Sequence, residues 1–321
     1  METRRLIKFG KNSYVVSLPK AWVEANRLRK GADIYLEEKP ESVILFASQT
    51  RQPERVVRLS CEGKRLQDLQ TEITSYYKAG HTTLIVEGRN LPEHIEAVRA
   101  FVHNLAGAEI VEQSRTRLVV KDLIDINQVA LPTLVNRMDM MVRSMFQDAL
   151  SGENAEPAVL RDRDKDLNRL QFLVARIVRN ILENPAVGHQ LNVTSVEAYT
   201  TDGIAKVLER IGDYLKRADG DLLRGSPAAR ARLRSYLKEA YETYLLSMKC
   251  YYDGSGEKAV RLHTDIVQLL SEFTLRVHAA KEKDEVLALE NIKNIFRDLR
   301  HILRSTVESC EPEAKPAKAG R

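Results

Sequence analysis

The chain has 321 residues, 43% hydrophobic and 30% charged, with a formal net charge of +5, a composition ordinary for a soluble globular protein of two or three domains and one that excludes global disorder. No apolar run approaches the roughly 18 residues of a membrane span and no signal-type apolar stretch opens the chain, so a cytoplasmic protein without membrane insertion is expected. Cys61, Cys250 and Cys310 have neither paired nor metal-type spacing and read as reduced thiols.

Residues 6–36 read LIKFGKNSYVVSLPKAWVEANRLRKGADIYL. Leu6, Ile7 and Phe9 start a short strand, Gly10-Lys11-Asn12-Ser13 makes a polar tip, and Tyr14, Val15 and Val16 form the return strand. Pro19 then opens a helix of one or two turns, because a proline at the first helical position lacks only an N–H that has no partner there. Gly31-Ala32-Asp33 turns the chain. Ile34 and Leu36, then Val43 and Leu45 around Pro40-Glu41-Ser42, alternate as a second hairpin. A unit of roughly 50 residues with two short hairpins buries too little apolar surface to offset its chain entropy alone. It is expected to complete its core with a second copy.

The GKNSYVVSLPKAWVE stretch followed by LRKG resembles the AbrB/SpoVT swapped-hairpin module, a dimeric β-barrel that commonly binds DNA. The resemblance implies an all-β dimerisation domain over residues 1–50. Charge agrees with such a role: residues 1–30 carry eight Lys/Arg against two Glu, whereas the chain as a whole carries +5, so basicity is concentrated here. Doubled in a dimer, it gives a positive surface that attracts phosphates. Arg4, Arg5, Lys8 and Lys11, which flank and lie on the first strand, are the expected DNA-binding residues.

From 53 to 122 short strands alternate with helices. Strands at 55–61 and 82–87 flank a helix at 66–78, a second helix follows at 92–105, and 108–111 with 117–121 read as a hairpin. The order βαβαββ fits a small α/β sandwich. It holds no Gly-rich phosphate loop and no nucleophile motif, and His81, His94 and His103 lack metal-site spacing. A spacer or a small-ligand sensor both fit.

Residues 127–310 show long 3.6-period runs: helices at 129–150, 158–183, 193–223, 228–253, 256–280 and 284–309, interrupted at Ser151-Gly152, Asn184-Pro185, Gly225-Ser226-Pro227, Gly254 and 281–284. Leu160, Leu167, Val174 and Ile181, with Leu170 and Ile177 between them, form the seam of one helix. Long helices with short connections run antiparallel, so a pair of three-helix bundles is predicted, and the Gly225-Ser226-Pro227 link divides them as if one unit were duplicated. The tail, 311–321, has no apolar residue larger than Ala and is predicted to be disordered.

RDKDLNRLQFLVAR (163–176) and VLERIGDYLKR (207–217) resemble the two signature helices of the PhoU family of phosphate-homeostasis regulators. Glu209 and Asp213 stand four apart, so both carboxylates leave one helical face and can share a cation. The resemblance implies a metal site formed with Asp164 and Asn168, or with Asp166 as the alternative, holding Fe, Mn or Mg. Asn168 departs from the acid usual there. Asp162 and Asp166 offer a second pair one face over. In the second bundle, Glu290 and Asn294 take the corresponding places, and the fifth helix offers His263 and Asp265.

Together the modules resemble archaeal PhoU-like phosphate uptake regulators with an N-terminal AbrB/SpoVT domain. That resemblance implies a homodimeric, non-enzymatic transcriptional regulator of phosphate uptake, with promoter DNA and the ATPase of a phosphate ABC transporter as partners. A dimeric adaptor that acts on the transporter without binding DNA is the alternative. A carboxylate-bridged diiron enzyme is disfavoured, because such bundles take a Glu-x-x-His from each of two helices and 127–310 contains none. No nucleophile, base and orienting group occur together.

Overall fold

The computed structural model describes residues 2–39, 41–47, 54–151 and 157–310. The end of the N-terminal module at 48–50, the break at Gly152 and the tail at 311–321 lie outside the described residues. The chain divides into two compact units, Met1–Pro53 and Glu54–Arg321.

In the first unit β1 (Ile7–Phe9) pairs antiparallel with β2 (Ser13–Val15), Ile7 opposite Val15. The turn between them begins at Gly10, whose φ of 68° is one that side chains avoid. Helix α1 (Lys20–Ala25) follows, with Pro19 as its N-cap residue in extended conformation, one position earlier than the sequence predicts. β3 (Tyr35–Lys39) and β4 (Ser42–Phe46) form the second antiparallel hairpin. No described residue of this unit is buried. Leu18, Trp22, Val23, Ile34, Ile44 and Phe46 are half-covered, while Leu6, Ile7, Phe9 and Tyr14 are 58–69% exposed.

The second unit opens with a sheet in the βαβαββ order: β5 (Val56–Ser60), α2 (Leu66–Lys78), β6 (Thr83–Glu87), α3 (Leu91–Val102), β7 (Ala108–Gln113) and β8 (Arg117–Asp122). The strands lie in the order β5-β6-β8-β7, with the first pair parallel and the other two antiparallel, so the sheet is mixed. Leu69, Ile73 and Tyr77 of α2, Val98 and Val102 of α3, and Leu84 and Val86 of β6 form its core.

A single 3-10 turn (Ile126–Gln128) leads into α4 (Leu131–Ser151), α5 (Pro157–Glu183), α6 (Pro185–Leu191), α7 (Ser195–Arg224), α8 (Pro227–Asp253), α9 (Gly256–Ala279) and α10 (Lys283–Ser309). The short α6 occupies a place where the sequence predicts only a break. Pro185 fits the first turn of α6, the Asn184 side chain accepts from the Ala186 N–H, and Asn192 ends the helix in left-handed conformation with φ 53°. The predicted seam is correct: Leu160, Leu167, Leu170, Val174, Ile177 and Ile181 are all buried.

α7 packs on α4, α5 and α10, and α10 packs on α8, α9 and α7. The six long helices share one hydrophobic core, which runs across the α7–α10 contact. Ser226 caps α8 by accepting from the Ala229 N–H, with Pro227 behind it. Where α5 crosses α7, Gly212 allows close approach, since a Cβ there would stand 2.5 Å from the Leu167 side chain.

The helices and the sheet share α5. Arg176 on α5 donates to the carbonyls of Tyr77 and His81 at 2.6 and 2.9 Å, pairs with Asp122 at 2.6 Å, and lies over the Tyr77 ring. Phe172, one turn earlier, packs against the sheet core beneath the Lys78 ammonium. At the far end of the helix Glu183 pairs with Arg55 at 2.8 Å.

Candidate functional site

Two places carry the residues singled out in the sequence. On the first unit, Arg4, Arg5, Lys8 and Lys11 are all exposed. Lys8 stands opposite Tyr14 in the β1–β2 ladder, so its side chain leaves the face opposite to that of Ile7 and Phe9. Lys8 and Tyr14 therefore share one face of the hairpin and Ile7, Phe9 and Val15 the other, and all five are exposed. Lys11 sits in the turn, and Arg4 pairs with its neighbour Glu2.

The second place lies where α5 and α7 cross at Gly212. Asp164, 8% exposed, faces Asp213 across the crossing. The ammonium of Lys216 sits between them, 2.6 Å from Asp164 Oδ2 and 2.7 Å from Asp213 Oδ1. Arg217 adds a bond of 2.7 Å to the other oxygen of Asp213. Burial pushes the Asp164 carboxyl above its usual range against the pull of Lys216. Burial acts upward on Asp213 as well, but the hydrogen bond and charge of Lys216 outweigh it and leave the group below that range. Glu209, one turn before Asp213, is raised by burial and then by the charges of Asp213 and Asp164.

The remaining predicted ligands point elsewhere. Asn168 donates to the main-chain carbonyl of Asp164 at 3.0 Å. Asp166 is exposed, and Asp162 pairs with Lys165 at 2.9 Å. In the second bundle Lys293 binds Glu290 at 2.5 Å, Arg297 binds Asn294 at 2.7 Å, and His263 meets Arg300 and Arg304 of α10.

Asp164, Glu209 and Asp213 thus come together with a lysine among them. Among the described residues no group of three or more His, Cys, Asp and Glu is placed to hold a metal ion. With the Lys216 ammonium between Asp164 and Asp213, where a cation shared by them would stand, the donor set in this arrangement does not fit Fe, Mn or Mg. Lys216 is the residue that sequence reasoning missed. It stands three after Asp213, a spacing at which ion pairs form on one helical face, within the same VLERIGDYLKR stretch that drew attention to the acids.

Cys61, Cys250 and Cys310 are free thiols. No described helix is long and apolar enough to cross a membrane. Residues 7–53 match the family described as antidote-toxin recognition MazE, bacterial antitoxin. The N-terminal segment is therefore a MazE/AbrB-like domain, consistent with a swapped-hairpin module, and the match does not extend into the sheet or the helices. No curated protein and no solved structure matches the chain.

Proposed function

We propose that the protein is a homodimeric, DNA-binding transcriptional regulator of phosphate uptake, whose first unit pairs with a second copy and reads promoter DNA while the helical half responds to phosphate status. The observation that carries this reading is the first unit itself. It matches a MazE/AbrB-type family over residues 7–53, it holds eight Lys/Arg in its first 30 residues, and it buries none of its described residues. Open apolar faces on so small a unit call for a partner of the same kind. The LERIGD stretch and the six long helices that surround it support the link to phosphate homeostasis, with the transporter ATPase as the partner of the helical half.

Genome-wide DNA footprinting under phosphate-rich and phosphate-starved conditions tests the whole reading. Protected promoters of uptake genes that change with phosphate support it, and an absence of protected sites in both conditions rejects it. A purely protein-binding module, of the kind the family description names for its members, is the second reading. It predicts a dimer that shows no salt-dependent binding to its own promoter.

A further inference from the structure

Where α9 meets α10 the structure gathers positive charge that no carboxylate among the described residues pairs with. Arg300 and Arg304 lie four apart on α10 and so share a face. Both direct Nε to the same atom, Nε2 of His263 on α9, at 3.2 and 3.3 Å. An imidazole that accepts from two guanidiniums is neutral and carries its proton on Nδ1. Partial burial, and then the two arginine charges, hold His263 below its usual pKa.

The contrast with other arginines of the bundle is direct. Arg210, Arg232 and Arg276 each close on a carboxylate at 2.8, 2.7 and 3.0 Å. Arg300 and Arg304 close on none among the described residues. Arg297, one turn earlier, has only the neutral amide of Asn294 among the described residues, so it adds to the same field. A groove of about 250 Å³ opens beside the cluster, with His263, Arg304 and Glu308 as its charged or titratable lining and Arg300 just outside it.

Two like charges one turn apart on a helix repel each other. Here the neutral ring of His263 holds them side by side, with the outer nitrogens of their forks left to take a ligand. Guanidinium forks match the oxygens of phosphate in geometry as well as charge. We propose that His263, Arg300 and Arg304 form a binding site for a phosphate-class oxyanion, either inorganic phosphate or the phosphoryl group of a small ester. Arg300 and Arg304 bind the oxygens, and His263 positions the two forks. The inference deepens the reading of the helical half as a phosphate sensor and rests on it for the choice of phosphate as first probe.

Titration calorimetry of the full chain with inorganic phosphate, sulfate and glycerol phosphate tests the site, with the R300Q/R304Q variant and the control R89Q, whose side chain is 94% exposed. The expected result is saturable phosphate binding by the wild type and R89Q, weakened at least tenfold in R300Q/R304Q, which corresponds to about 1.4 kcal/mol. If the double variant melts early, R300Q and R304Q singly show the same direction of loss. Equal binding in the double variant, or no saturable binding of any probe up to about 10 mM, overturns the site. Binding of the ester but not of phosphate upholds the site and overturns the phosphate-sensor reading, and binding of sulfate alone overturns both. Promoter protection itself, as distinct from its change with phosphate, reports separately on the first unit.

Discussion

Arg176 on α5 and Asp122 at the end of β8 form an ion pair 2.6 Å across, with side chains only 3% and 7% exposed. The same guanidinium satisfies the carbonyl of Tyr77 in the last turn of α2 and that of His81 in the connection to β6. One side chain therefore fastens the sheet to the bundle.

Replacing Arg176 by Met should leave Asp122 as an uncompensated buried carboxylate and cost about 3–5 kcal/mol, whereas the double change R176M/D122L should cost less, because no lone charge remains inside. Urea unfolding of the three proteins at pH 7 checks the order. A double variant no more stable than R176M would refute the account.

Lys216→Met should destabilise the α5–α7 crossing by about 1–3 kcal/mol, the cost of leaving a covered polar group without its partner, since Asp164 loses its ammonium while Asp213 keeps Arg217. The wild-type melting temperature should be the same with a chelator, with Mn²⁺ or with Mg²⁺. A rise with either metal, together with metal retained on purification, would restore the metal reading.

Glu209→Gln should stabilise the protein at neutral pH and change little near pH 4. The folded-state pKa of Glu209 is raised, by burial first and then by Asp213 and Asp164. The folded protein thus holds this proton more tightly than the unfolded chain, and stability falls as pH climbs from the unfolded pKa through the folded one. Gln removes that loss. Melting curves of both proteins across pH 4–7 decide, and a destabilised variant at pH 7 counts against the sign.

The first unit should dimerise through its open apolar faces, so light scattering should give a dimer or larger species for the wild type and a smaller one for Ile7→Lys, Phe9→Lys. A wild-type monomer at micromolar concentration contradicts this.

Replacing Arg4, Arg5, Lys8 and Lys11 by Ala should weaken DNA binding and lower its salt slope by roughly 0.9 for each phosphate no longer neutralised. Binding with unchanged affinity and slope would place the DNA surface elsewhere.

Much of this architecture is legible in the chain because it is written in local pattern. The seam of α5 follows from six apolar positions at helical spacing, and the βαβαββ order follows from β-branched runs broken by single glycines. α6 is hidden because its seven residues are too few to show a period, although Asn184-Pro185 is a good capping sequence. Arg176 and Lys216 are hidden for another reason. Each is an ordinary basic residue on a helix, and its meaning lies in what a distant segment brings to it: the carbonyl of Tyr77 for one, Asp164 for the other. The acids at 164, 209 and 213 can be read as cation ligands from sequence, but not that the cation is the protein's own.

α5 touches the sheet core through Phe172 and belongs to the helical core through its Leu160–Ile181 seam, so opening of either layer disturbs the other. Amide hydrogen exchange in the second unit should then proceed as one cooperative block. The slowest amides of β6 and β8 should share their opening free energy with those of α5, and R176M should split that block into two.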